Sequence, residues 1–296
     1  MFKIEAFFHK SSATISYLVY DSNSLDAIVI DSVLDFDLAS GVISTEFADR
    51  QIEFINQLGL KVGWILETHA HADHLSSAYY LKSQVGGKTA IGEGIKKVQQ
   101  TFKTKFNISD HELVADGSAF DHLLRDQENF QFGSTTCTVI ATPGHTSDSL
   151  SYKIGNNVFV GDTLFLPDVG SARCDFPGGN AQTLYDSVHK LYQLPDDTVL
   201  WMCHDYPESN RKVSFSTTVK ESKERNIHLP LENSLENFVQ LRKTRDKSLA
   251  VPKLLYPAIQ VNIRAGRFPL AEENQETYLK IPITLDKFTD RGRNND

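Results

Sequence analysis

Residues 65–81 read ILETHAHADHLSSAYYL, and His69, His71, Asp73 and His74 fall close together just after an apolar run. Imidazoles and a carboxylate at that density are metal ligands by type, and buried without an ion they would leave several polar groups unpaired. The spacing argues for a strand-to-loop segment, because residues 69 and 71 share a side in an extended chain and not in a helix. Three later stretches carry the same chemistry. TPGHTSDS holds His145 behind a Pro143–Gly144 turn, FVGDTLF holds Asp162, and WMCHDYP holds His204 beside Asp205 and Tyr206. Singly, each fits a turn histidine or a capping aspartate. Together they point to catalysis at a metal ion.

Those residues need elements to carry them. The apolar runs VGWIL, CTVIATPG, VFVG and VLWMC stand directly before His69, His145, Asp162 and His204. Side chains placed beyond strand C-termini converge on one crevice, so four strands deliver ligands to one place. ISYLVYD and DAIVID read as a hairpin turned by SNS. STEFADRQIEFINQLGL spaces Phe47, Ile52, Ile55 and Leu58 as one helical face, with Gly59 placed as a C-cap. HLSSAYYLKSQVGG reads as a second helix closed by Gly86 and Gly87, and KTAIG as a strand. A polar segment at 103–130 reads as a loop or lid. TCTVIATPGH, SLSYKIG and NVFVGD then resume the strands, AQTLYDSVHKLYQL is a helix with Leu184, Val188 and Leu191 on one face, and TVLWMCH is a strand. The two stretches of strands and helices suggest two halves of one layered domain. That domain is expected over 1–285, with a less clearly patterned C-terminal extension from about residue 210 and a polar tail at 286–296.

Composition limits what such a site serves. With 296 residues, 40% hydrophobic and 23% charged, the chain can bury a substantial core. A balance of 30 basic against 38 acidic side chains, net −8, argues against nucleic acid or an anionic membrane as partner. No apolar run reaches the roughly 18 residues of a membrane helix. The first 22 residues lack the pattern of a signal peptide. Three widely spaced cysteines make no disulfide framework. A cytoplasmic location with reduced thiols is the expectation.

The order H-x-H-x-D-H, GHT, GD and a late His after a strand resembles the metallo-β-lactamase superfamily over roughly residues 10–210. That resemblance implies an α/β fold, the four-layer αββα sandwich with its metal at one edge. DSVLDFDLASG, GDTLFLPDVGSARCDFPGG, HDYP and PAIQVNIRAG are similar to the glutathione-dependent persulfide dioxygenases, in the bacterial branch known as β-lactamase-like hydrolases. The resemblance implies oxidation of glutathione persulfide by O₂ and water to sulfite and glutathione. It implies one Fe(II) per chain held by His69, His145 and Asp162. Two imidazoles and a carboxylate leave open positions for substrate and O₂. His71, Asp73, His74 and His204 would then orient ligands and water. Tyr206 corresponds to a family tyrosine near the iron. Arg173 matches an arginine used near glutathione, and Arg264 is a second candidate for the same task.

Two other readings use the same residues. In a thioester hydrolase of the glyoxalase II type, His69, His71 and His145 would hold one Zn(II). Asp73, His74 and His204 would hold a second, with Asp162 bridging. A non-enzymatic metal or persulfide sensor predicts a lost ligand or blocked coordination position, and the sequence has neither. No cysteine is followed by a C-x-x-x-x-R loop, so a rhodanese or a sulfide:quinone oxidoreductase supplying persulfide is expected to be a separate protein. The sequence leaves the oligomeric state open, a homodimer included.

Overall fold

A computed structural model describes residues 1–207 and 211–283. The first sheet runs in the order β1 (Phe2–His9), β2 (Thr14–Asp21), β3 (Asp26–Ile30), β6 (Lys61–Leu66), β7 (Lys88–Gly92), β8 (His122–Leu124); a small β4–β5 ribbon (Asp35–Asp37, Val42–Ser44) stands outside it. The second runs β14 (Ser216–Thr218), β13 (Val199–Trp201), β12 (Asn157–Phe159), β11 (Leu150–Ile154), β10 (Thr135–Ala141), β9 (Asn129–Phe132). Strands β3, β6, β7 and β8 pair in parallel, as crossovers through α1 (Glu46–Leu58), α2 (Ala78–Val85) and α3 (Ile95–Phe106) require.

Alternation along the strands builds the layers. Ile15, Tyr17 and Val19 of β2 face Val139, Tyr152 and Val158 of the second sheet, while Leu18 and Tyr20 face Ala48 and Ile55 of α1 and Leu81 of α2. On the far side, α4 (Ala181–Tyr192) buries Leu184, Val188 and Leu191, and its Tyr185 packs on Phe238 of α6 (Leu235–Asp246). The αββα layering expected from the sequence is the observed fold. The chain past the second sheet is more regular than its composition suggested, with α5 (Val219–Arg225), α6 and α7 (Leu255–Asn262).

Some expectations fail locally. Residues 103–130 are not one loop: they include the end of α3, all of β8 and the start of β9. Ile95, Val98, Phe102 and Phe106 form the buried stripe of α3, and its lysines, glutamines and threonines mask that period. The helix expected from His74 starts only at Ala78, because residues 74–77 are drawn into side-chain bonds at the site. Leu58 is exposed at the end of α1, whereas Gly59 is its left-handed C-cap. The tail at 286–296 lies outside the described residues.

Candidate metal centre

Each strand hands its ligand to the centre through a fixed turn. After β6, Thr68 donates from N and Oγ1 to Asp31 (2.7 and 3.0 Å), and Thr68 Oγ1 meets His69 Nδ1 at 3.0 Å, which leaves His69 Nε2 facing inward. The Asn262 side chain of α7 clamps the motif from outside: Nδ2 donates to the His71 and His74 carbonyls and Oδ1 accepts from Ser76 N, all at 2.8 Å. After β10, Gly144 adopts φ +138°, and a Cβ there would stand 2.4 Å from the Leu184 backbone of α4. That close approach aims His145, whose Nδ1–H donates to the Arg173 carbonyl at 2.7 Å and leaves Nε2 free. Asp162 rides a single 3-10 turn after β12, and His204 follows β13, where its backbone bridges to Thr14.

The result is a cluster of unsatisfied donor atoms. His69 Nε2, His71 Nδ1, His74 Nε2, Asp162 Oδ1 and His204 Nε2 are all buried without a hydrogen-bond partner among the described residues. Buried polar groups are almost always satisfied, so this concentration of orphan atoms along one edge of the sandwich fits a site for a cation. Asp162 Oδ2 stands 3.9 Å from His69 Nε2 and 3.8 Å from His145 Nε2, and Oδ1 stands 3.3 Å from His204 Nε2. His69, His145 and Asp162 offer ligand atoms all within 4.8 Å of one another. Burial, followed by repulsion from His71 and His145, holds His69 well below the usual imidazole range, the neutral form a ligand requires.

The remaining motif residues divide. His71 Nε2 faces Asp31 Oδ1 at 3.0 Å and Glu67 Oε2 at 3.3 Å, so it is the donor and Nδ1 points to the centre. Burial opposes charge on His71, yet Asp31 and then Glu67 outweigh it and raise its pKa well above the ordinary value. Asp73 Oδ2 lies 3.2 Å from His74 Nδ1 and 3.4 Å from His204 Nε2. Burial is the main reason that His74 falls to about 4.

A cavity of about 330 Å³ opens beside Asp162 and His145, floored by Phe165, Val169, Phe176 and Leu249. The structure puts Arg173 in its wall but commits the guanidinium: Nε and Nη2 pair with Asp175 (2.6 and 2.7 Å) and Nη1 donates to the Ala250 carbonyl at 2.7 Å. Arg245 of α6, which the sequence did not single out, lines the same cavity exposed and makes no ion pair among the described residues. Arg264 is not brought to this site; it lines a separate cavity with Glu112 and Arg267. Tyr206 sits at the mouth, stacked on His204 with ring centroids 5.7 Å apart. Desolvation, then the Asp73 and Asp162 carboxylates, raises its phenol and keeps it protonated. Cys174 is buried, and desolvation pushes its thiol up to about 12, so it is no reactive thiolate.

Sequence spacing gave no sign of Asn262, Asp31 or Arg245 at the centre, because their contacts join segments far apart in the chain. The family model "Metallo-beta-lactamase superfamily" matches residues 13–204. The chain is 48% identical to "Glyoxylase B2" of Dictyostelium discoideum, over 95% of this chain and 97% of that one. It is 45% identical to a "Beta-lactamase hydrolase-like protein" of Agrobacterium fabrum, over 95% of this chain and 65% of that longer one. It is 31% identical to "Persulfide dioxygenase ETHE1, mitochondrial" of Bos taurus, over 88% and 87%. The crystal structure of ETHE1 from Myxococcus xanthus superposes with a TM-score of 0.71 at 29% identity, covering 90% of this chain and all of that one. With its family model matched across more than half its length and its ligand residues gathered at one edge of the sandwich, this chain belongs to the metallo-β-lactamase superfamily.

Proposed function

We propose that this chain is a persulfide dioxygenase that converts glutathione persulfide, O₂ and water to glutathione and sulfite with one Fe(II) per chain. The observation that carries the reading is the compact set of His69, His145 and Asp162, two imidazoles and a carboxylate opening onto the cavity. Similarity to persulfide dioxygenases in sequence and structure supports it. Fe(II) held there by His69, His145 and Asp162 would provide a redox-active centre through which the persulfide sulfur gives up the four electrons that O₂ takes, a role that redox-inert Zn(II) does not offer.

The chain's own residues do the rest. His145 is held at Nδ1 by the Arg173 carbonyl, and His69 by Thr68, so both present Nε2 without reorganisation. Phe165, Val169, Phe176 and Leu249 exclude water around the persulfide sulfur. Arg245 takes a carboxylate of the tripeptide, and the protonated Tyr206 hydroxyl donates a hydrogen bond to bound substrate. The persulfide reaches a cytoplasmic enzyme from a separate sulfide-oxidising or rhodanese-type protein.

A second reading keeps specific support. His71, Asp73 and His74 offer ligand atoms within 4.8 Å of one another and the unpartnered His204 Nε2 lies 3.4 Å from Asp73 Oδ2, which suits a second ion, and the Dictyostelium relative is named a glyoxylase. That would make the chain a dinuclear Zn(II) hydrolase of S-acylglutathione thioesters. Purification without added metal, followed by iron and zinc analysis, separates the two. One iron per chain with O₂ uptake on glutathione persulfide is expected. Two zincs, no O₂ uptake and hydrolysis of S-lactoylglutathione would overturn the dioxygenase reading.

Arg245→Gln should raise KM for the persulfide about tenfold, with kcat within about threefold and metal content unchanged, as loss of a solvent-accessible charge-assisted contact implies. An unchanged KM removes Arg245 from the substrate site. Arg173→Ala, which the family resemblance leads one to expect will raise KM, makes the parallel measurement.

A further inference from the structure

Arg264, placed by the fold away from the metal, is nine-tenths buried and poorly compensated. Its relative exposure is 5%, its Nη1 donates to the Gln260 carbonyl near the end of α7, and its Nε is buried with no partner. Among the described residues it makes no ion pair. A guanidinium stays charged and offers five N–H donors, so one helix-end carbonyl leaves most of its hydrogen-bonding capacity unused.

The space beside it suits what is missing. Arg264 and Arg267 line a cavity of about 250 Å³ with Ser118 and the apolar Leu113, Val114 and Phe268. The one carboxylate in that wall, Glu112, is engaged elsewhere: Oε2 accepts from Ser109 N and Oγ (3.0 and 3.1 Å), and Oε1 faces Lys280 Nζ at 3.8 Å. Two arginines therefore share the cavity with a carboxylate that is directed to a third cation. Glu112 acts on Arg264 only through space and forms no ion pair with it, so the buried guanidinium is only partly balanced, and a small anion is what completes the balance.

We propose that this cavity is a binding site for a small multivalent oxyanion of the sulfate, sulfite or phosphate class, separate from the metal centre. The anion accepts from Arg264 and Arg267 and closes the charge balance that Glu112 leaves open. Its position gives it a path to the metal motif. Arg264 follows α7, whose Asn262 clamps the His71 and His74 carbonyls, and Gly266 packs so closely on the Ser76 carbonyl that a Cβ would stand 2.9 Å from it. The proposal stands independently of which reaction the metal centre performs.

The test is calorimetric titration of the metal-loaded protein, freed of multivalent anions, with sulfate, sulfite and phosphate in turn. One saturable site per chain is expected with Kd on the order of 0.1–5 mM, together with a higher Tm. Arg264→Gln should abolish binding and Arg267→Gln weaken it about fivefold or more. Glu112→Gln should tighten it severalfold, a direction that misfolding does not mimic. Arg245→Gln, in the metal cavity, should leave it unchanged. The proposal fails if wild-type protein takes up none of the three anions up to roughly 20 mM. It fails equally if Arg267→Gln and Glu112→Gln leave affinity unmoved, or if Arg245→Gln removes the binding.

Discussion

Asp162→Ala should lose bound metal and turnover together, with affinity falling on the order of a thousandfold or more, since even an outer-sphere partner is worth about 10–100-fold. The carboxylate faces His69 Nε2, His145 Nε2 and His204 Nε2 at 3.9, 3.8 and 3.3 Å. No other carboxylate of the described residues stands close to all three. Among the described residues its side chain makes no hydrogen bond, and Oδ1 is an orphan, so removal costs the ion-free protein little. Unchanged far-UV circular dichroism with metal content near zero is the expected pair of observations. Metal retained at full occupancy would show that the ligand set is misassigned. The companion His204→Ala discriminates further: a mononuclear centre keeps its single ion, while a dinuclear one drops from two to one.

The second large effect lies under the cavity, in α6. Asp246→Ala should destabilise the protein by about 3–5 kcal/mol, the range for stranding one half of a buried ion pair. Arg242 is 1% exposed, pairs with Asp246 through Nη2 and donates from Nη1 to the Ser171 carbonyl at 3.0 Å. Asp246 Oδ2 also accepts from Cys174 N at 2.9 Å, so the same residue pins the SARCDF segment to α6. For a chain of this length the loss reads as a Tm lower by roughly 5–8 °C. Replacing both residues, Arg242→Met with Asp246→Leu, should recover part of it, because no charge is stranded, while the Cys174 N–H and Ser171 carbonyl still lose their partners. A Tm within about 2 °C of wild type for Asp246→Ala would mean that Arg242 finds water or another acceptor.

Much of the fold and of the candidate centre is legible in the amino-acid sequence. Apolar runs ending at His69, His145, Asp162 and His204 marked strands that share a rim, and the structure puts all four residues there. Period-2 and period-3.6 patterns depend on nearest neighbours in the chain, so β2, β3, α1 and α4 could be read directly. Local pattern was weaker where polar side chains covered a buried stripe, as in α3. Arg173 and Arg264 were both placed at the substrate by motif, yet the fold ties one to Asp175 and moves the other to a different cavity.

The sequence alone determined the superfamily, the strand-end logic of the centre and the identity of its ligand types, because these depend on residue kind and short spacing. Only the tertiary structure decided which nitrogen of each histidine faces the candidate centre, which arginine in the cavity wall is left without an ion pair among the described residues, and that Asn262 and Asp31 support the motif. Hydrogen bonds and ion pairs such as these join segments up to 191 residues apart, and their partners are chosen by packing rather than by the chain's local order.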